Sequence, residues 1–141
     1  MAEPHHRWPV RIYYEDTDAA GIVYYANYLK FAERARTEWM RELGFSHSGL
    51  AAEAGGAWAV RRLTADYLRP ARLDDLLSVE TTLTALGGAS ADLRQVVGSA
   101  AGVHARLGIG LAFIAPDGRP RRLPAAVRRV LAPLVNTQPG G

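Results

Sequence analysis

Tyr13 to Glu38 reads YYEDTDAAGIVYYANYLKFAERARTE, and this stretch decides how the rest of the chain is read. Glu15, Asp16 and Asp18 end an apolar run, and Ala19, Ala20 and Gly21 form a small, flexible turn. A helical pattern follows: Tyr28, Phe31, Ala32, Ala35, Trp39 and Leu43 recur at helical spacing until Gly44 supplies a stop. Asn27 reads as its N-cap. The opposite face carries Glu33, Arg34, Arg36, Glu38, Arg41 and Glu42, whose mixed signs suit a solvated face or a polar contact. A carboxylate close to the free N–H groups of a helix start can handle water or attack a carbonyl, while the amides hold the resulting oxyanion. The same acids could equally do no more than solvate the loop.

Working outward, Met1 to Arg7 reads as a loose tail with His5 and His6 in solvent, and Val10 to Tyr14 as a short strand. On the far side of the helix, Ser48 to Gly56 is a Gly- and Ala-rich loop, after which the pattern changes to period two. Trp58 to Arg69 is a strand whose alternation slips near Arg61 and Arg62, as a bulge would cause. Leu77, Val79, Thr81, Leu83 and Ala85 alternate with polar residues, a strand covered on one face. Gly87-Gly88 turns the chain into Ala89 to Val97, and Ala101-Gly102 turns it into Val103 to Phe113. One strand, one long helix and four strands with short connections predict an α+β domain, an antiparallel sheet of about five strands packed on the helix.

With 141 residues and 48% hydrophobic content, residues 1–141 suit one domain. The absence of cysteine excludes disulfides, thiolate metal sites and a cysteine nucleophile. No apolar run reaches the length of a membrane span or resembles a signal segment, so a cytoplasmic location without membrane insertion is expected. Net charge is +3, and Lys30 is the only lysine among 17 basic residues. Arginine's planar fork suits phosphate, although Arg enrichment can also reflect genome composition.

The order Asp18, two small residues, Gly21, two β-branched residues, two aromatics, Ala26, Asn27 and Tyr28, followed by a helix with Glu33 to Arg36, resembles the opening of the 4-hydroxybenzoyl-CoA thioesterase family of hotdog-fold enzymes. Within it the chain is most similar to the YbgC-type acyl-CoA thioesterases associated with the Tol-Pal system. The resemblance continues through Asp66 to Thr81, DYLRPARLDDLLSVET, and covers about Val10 to Phe113. It implies a hotdog fold, a sheet wrapped around one long central helix. It also implies hydrolysis of an acyl-CoA, with Asp18 as the catalytic carboxylate, base or nucleophile, and the Tyr25 N–H as oxyanion donor. Gly21 and Asn27 would shape the turn and the helix start. Tyr14, Tyr28 and Thr64 are weaker candidates for the acyl pocket, and Glu15 and Asp16 are supporting acids. The YbgC-type enzymes commonly carry His where this chain has Tyr25, while the hydroxybenzoyl-CoA enzymes carry Tyr there. That leaves short aliphatic and aromatic acyl groups both open. The resemblance further implies dimers that contain the active sites, here expected to double into a homotetramer, no cofactor, and an acyl carrier protein as an additional partner it leaves open.

Residues 116–141 form a basic C-terminal segment, with Pro124 placed to start a short helix. Its arginines, Arg121 and Arg122 foremost, suit a solvated face, a grip on CoA phosphates or another anionic partner. No aromatic residues interleave them, which disfavours nucleic acid. GFSHSG at Gly44 to Gly49 is not a nucleophile elbow, and His47 falls in the expected loop. Gly108-Ile109-Gly110 lacks the third glycine of a dinucleotide loop. Asp16, Asp18 and Gly21 lack the remaining ligands of a calcium loop, so no metal is expected. Asp16-Thr17-Asp18 echoes paired phosphoryl-transfer aspartates, but strands follow strands here instead of alternating with helices. A non-enzymatic module that binds acyl-CoA or an acyl carrier is the competing class.

Overall fold

A 16-residue helix and five antiparallel strands account for half of the computed structural model, which describes residues 3–136. In chain order the elements are β1 (His6–Arg11), a 3-10 turn (Tyr14–Asp16), α1 (Asn27–Glu42), α2 (His47–Ala54), β2 (Ala57–Tyr67), β3 (Leu76–Leu86), β4 (Ser90–Ser99), β5 (Gly102–Ile114), α3 (Ala125–Leu131) and a second 3-10 turn (Ala132–Leu134). The strands lie in the order β1-β3-β4-β5-β2, so β1 and β2 are the edges. This is the α+β hotdog arrangement. Met1, Ala2 and residues 137–141 of the expected tail and basic segment lie outside the described residues.

The sheet forms because period-two sequences place one apolar face inward, and α1 lies across that face. Tyr28, Phe31, Ala32, Ala35, Trp39 and Met40 are its buried side chains. They meet Leu77, Val79 and Leu83 of β3, Leu93 and Val97 of β4, and Ala105 to Phe113 of β5 in two adjoining clusters. Each large side chain buried this way contributes about 1.5–3 kcal/mol before conformational entropy is counted. Between helix and sheet sits Gln95, fully buried and fully bonded. Its amide donates to the Ala32 carbonyl and to Thr81 Oγ1, both at 3.0 Å, and its oxygen accepts from Arg36 at 2.9 Å. Such a network fixes the position of α1 along the sheet, because any slip leaves a buried amide unpaired.

β2 pairs with β5, and its register shifts between Val60 and Arg62. That bulge changes which residues face inward. Trp58 and Val60 lie opposite Phe113 and Leu111, but past the bulge Leu63, Ala65 and Tyr67 are the residues opposite Ile109, Leu107 and Ala105.

Four expectations are corrected. The tail is a strand from His6, since β1 pairs His6 with Thr81 and the His5 amide bonds to the Thr81 carbonyl at 2.9 Å. His5 and His6 are not solvent residues: His5 Nδ1 accepts from the Leu83 amide at 3.0 Å and its ring stacks on Trp39. Burial accordingly holds the His5 pKa down. His6 stacks on Trp8 and reaches Glu42 at 3.1 Å. The Ser48–Gly56 loop is mostly α2, whose N-cap Ser46 accepts from the Gly49 amide, and His47 is its first residue. Asn27 is the first residue of α1, not its cap; Ala26 occupies that position with no side-chain cap bond.

Candidate active site

The acidic loop before α1 is a short hairpin. The Tyr24 amide bonds to the Asp16 carbonyl, Thr17 bridges to Val23, and the Asp18 amide bonds to the Ile22 carbonyl at 2.9 Å. At its tip the Gly21 amide bonds back to the Asp18 carbonyl at 3.0 Å, with Gly21 at φ +78°. That conformation is one L side chains adopt at a cost, which explains glycine closing this turn. The carboxylate of Asp18 accepts from the Ala20 amide at 2.9 Å through Oδ1. Its other oxygen meets no partner among the described residues, and the residue is exposed. The turn therefore fixes one carboxylate oxygen and leaves the other without a partner among the described residues.

Asp16 does different work. Its carboxylate accepts from the Tyr13 amide at 2.8 Å, and its carbonyl accepts from both the Tyr24 amide and Asn27 Nδ2. It is therefore the joint that ties the hairpin to the start of α1. Asn27 serves the role expected of it, positioning the helix start, by bonding to Asp16 instead of capping. Tyr14 and Glu15 form the 3-10 turn and are exposed.

At the helix start the Asn27 amide bonds to the Tyr24 carbonyl, Tyr28 to Tyr25, and Leu29 to Ala26. The amides of Tyr25 and Ala26 donate to no acceptor among the described residues. They are the unsatisfied donors of a helix N-terminus, where the dipole favours negative charge. The Tyr25 ring is exposed, tilted against Tyr24 at 5.0 Å and edge-on to Tyr67 at 5.8 Å. Tyr28 is buried and accepts from the Ala71 amide at 3.1 Å, so it is a post of the core more than a pocket wall. Burial pushes up the phenol pKa of Tyr28, and of Tyr67 together with the neighbouring Tyr25.

Three expected residues lie elsewhere. Thr64 follows the bulge and sits on the outer face of the sheet, its Oγ1 over Gly108, away from α1. Arg121 donates to the Ala54 carbonyl at 2.6 Å, beside the Ala57 end of β2, whereas Asp18 and Tyr25 belong to the Tyr67 end. Arg122 is exposed next to it. Eleven residues of strand, at about 3.3 Å each, separate these ends. Tyr67 and the Ala26 amide, conversely, were not singled out from sequence. Tyr67 was detectable only by carrying the inward parity through the bulge.

Among the described residues no group of three or more His, Asp or Glu side chains could hold a metal ion, and no helix is long and apolar enough to cross a membrane.

A carboxylate on a glycine turn beside the free amides of a long helix laid on a five-stranded sheet defines a class, and comparison with known proteins bears on it directly. A profile of the thioesterase superfamily matches residues 20–103, and the chain belongs to that family. Among characterised relatives it is similar to the acyl-CoA thioester hydrolase YbgC of Escherichia coli O6:H1, 55% identical over 84 residues, or 60% of this chain and 62% of that protein. The acyl-CoA thioesterase YbgC of Haemophilus influenzae is 53% identical over 83 residues, 59% of this chain and 61% of that one. These matches thus span less than two thirds of the relatives' length. A probable thioesterase from Bartonella henselae has a similar structure, with a TM-score of 0.81 at 36% identity over 84% of this chain and 98% of that chain.

Proposed function

We propose that this chain hydrolyses the thioester of a short aliphatic or aromatic acyl-CoA to the free acid and CoA. The observation that carries the reading is Asp18, with one carboxylate oxygen pinned by the Ala20 amide and the other open, on the hairpin that leads to the free Tyr25 amide. A thioester carbonyl is little stabilised by sulfur and its thiolate leaves readily, so the protein mainly supplies an attacking oxygen and an oxyanion donor. In one route Asp18 takes a proton from water as the oxygen adds to the carbonyl carbon. The oxyanion accepts from the Tyr25 N–H, the C–S bond breaks, and the departing thiolate recovers a proton. In the other, Asp18 itself adds, the thiolate leaves, and water opens the mixed anhydride. The resemblance of the sequence to the YbgC-type enzymes adds to this proposal a Tol-Pal context and a cytoplasmic location.

A thiol-release assay on acetyl- through palmitoyl-CoA, benzoyl-CoA and hydroxybenzoyl-CoA tests this reading. Turnover of at least one ester is expected; binding of the esters without turnover would favour the non-enzymatic module.

The active unit is a dimer. β2 is an 11-residue edge whose exposed Val60, Leu63 and Tyr67 leave backbone and apolar surface uncovered, while the other edge, β1, has six residues and is blunted by Pro9. Antiparallel pairing of two β2 strands about their midpoint sets the Ala57 end of one subunit beside the Tyr67 end of the other. That carries the second subunit's Arg121 and Arg122 toward the first subunit's Asp18, where Arg122 is free to meet CoA phosphates. Doubling of this dimer gives the homotetramer. Light scattering is expected to give two or four times 15.3 kDa, and Leu63→Lys, which puts a charge on the shared edge, to lower both mass and activity together. A fully active monomer would refute the arrangement.

A further inference from the structure

A cavity whose lining does not include Asp18 lies toward the C-terminal half of α1. It has a volume of about 270 Å³ and opens between α1, His47 and the inner face of the sheet. Its walls are apolar, with Met40, Trp58, Val60, Leu93 and Leu111 among them, and Glu33, Arg36, Thr37 and His47 are its polar residues. Thr37 and His47 satisfy each other at 2.9 Å. Trp58 is not satisfied, and Arg36 has donors to spare. The guanidinium has five N–H donors, yet its hydrogen bond among the described residues goes to the neutral oxygen of Gln95, and no carboxylate there stands within 4.0 Å of it. Burial pulls its pKa down, with Glu33 one turn earlier opposing in part. The indole N–H of Trp58 is buried and meets no acceptor among the described residues. A half-buried cation and a buried N–H each carry a desolvation cost until an acceptor arrives.

We propose that this cavity binds an organic carboxylate with a small apolar body, the carboxylate held by the Arg36 guanidinium and the Trp58 N–H serving as a further donor. The chemistry follows from the inventory. Unspent donors, one of them charged, belong to residues that line a largely apolar space, and an anionic group on a hydrocarbon is the ligand chemistry that suits both features. Arginine's fork matches a carboxylate in two parallel bonds. The volume falls near the lower end for ligand pockets, roughly 300–1,000 Å³, which fits an acid of the size of benzoate or hexanoate better than a long fatty acid. Such an acid has two sources: the product of the proposed thioesterase reaction, or an unrelated acid that regulates it. Only the first of these rests on the thioesterase reading.

Calorimetry on the intact protein with sodium benzoate and hexanoate, against neutral benzamide and hexanamide, tests the site. The acids are expected to saturate and to bind at least about tenfold more tightly than the amides, as a charge-assisted bond predicts. Arg36→Gln should erase that preference, and Trp58→Phe should weaken acid binding several-fold while removing the indole resonance that shifts on titration. No saturable binding of the acids, equal binding of acid and amide, or an unchanged preference in Arg36→Gln would overturn the proposal. Should Arg36→Gln fail to fold because Gln95 loses its partner, the acid-to-amide contrast in the unaltered protein decides. The source is read from kinetics: competitive inhibition of acyl-CoA hydrolysis by the acid assigns the product, and a change in kcat alone assigns a regulator. Absence of any hydrolysis would sink the thioesterase reading, with the binding result standing on its own.

Discussion

Asp18→Asn is expected to lower kcat for acyl-CoA hydrolysis at least about 10²-fold, because a positioned acid or base typically contributes ~10²- to 10⁴-fold. The amide keeps the size of the side chain and an oxygen for the Ala20 N–H, so the Gly21 turn and the assembly should persist. What it removes is the negative charge that takes a proton or attacks carbon, and KM should therefore change far less than kcat. Glu15→Gln is the matched control, since that residue is exposed on the 3-10 turn, and its effect should be small. Asp16→Asn is expected to act on stability instead. Its carboxylate accepts from the Tyr13 amide, whereas the carbonyl that holds Tyr24 and Asn27 is untouched by the change. Retention of more than about a tenth of wild-type kcat by Asp18→Asn would fall well short of the loss expected for a positioned base and would move the assignment to another carboxylate.

The largest effect on stability is expected at Phe31. Its ring is 1% exposed, edge-on to Tyr28 at 6.2 Å, and packs in the cluster that joins α1 to Val10, Ile12, Leu77, Val79 and Ala105. Phe31→Ala deletes a ring that close-packed neighbours cannot follow inward, a change that costs about 3–5 kcal/mol. Against a typical total of about 5–15 kcal/mol, this is a large share of the fold's margin. A denaturant titration with unchanged slope and a lowered midpoint is the readout. Lys30→Ala, on the exposed face one residue earlier, should stay within about 0.5 kcal/mol. A loss below about 1 kcal/mol at Phe31 would mean that α1 is not seated as described.

The elements that sequence made legible are those whose periodicity survives without tertiary help. α1 follows from Tyr28, Phe31, Ala35 and Trp39 at helical spacing, and β3 and β5 follow from the period-two placement of their apolar residues, although β3 shifts register between Leu83 and Ala85 and leaves Ala85 exposed. The start of β1 was hidden because His5 and His6 look like solvent residues. His5 becomes a core residue only by finding the Leu83 amide 78 positions away, which no local pattern announces. α2 was hidden by its Gly and Ala content, although Ser46 with its bond to Gly49 was a usable cap signal. At the candidate site, the residues from Asp18 to Tyr28 announce a turn and a helix start, while the hairpin pairing of Thr17 with Val23 has no local pattern to announce it. The division of labour between Asp16 as scaffold and Asp18 as the open carboxylate needed the hydrogen bonds. Thr64 lies on the outer face because a single bulge residue moves every later side chain of β2 to the other face. Arg121 and Asp18 are far apart for a topological reason: β5 returns the chain to the Ala57 end of the sheet, the full length of β2 away from the Tyr67 end.

A single-turnover experiment, with enzyme in excess over an acyl-CoA that the substrate panel shows to be turned over, tests the role of Asp18 most directly. Thiol release is followed for the wild type and Asp18→Asn side by side. Wild-type protein is predicted to release one equivalent of CoA per substrate, with Asp18→Asn slower by at least about 10²-fold at equal substrate occupancy. Release by Asp18→Asn at a rate close to that of the wild type would contradict the account, as would binding of the ester by the wild type with no thiol released.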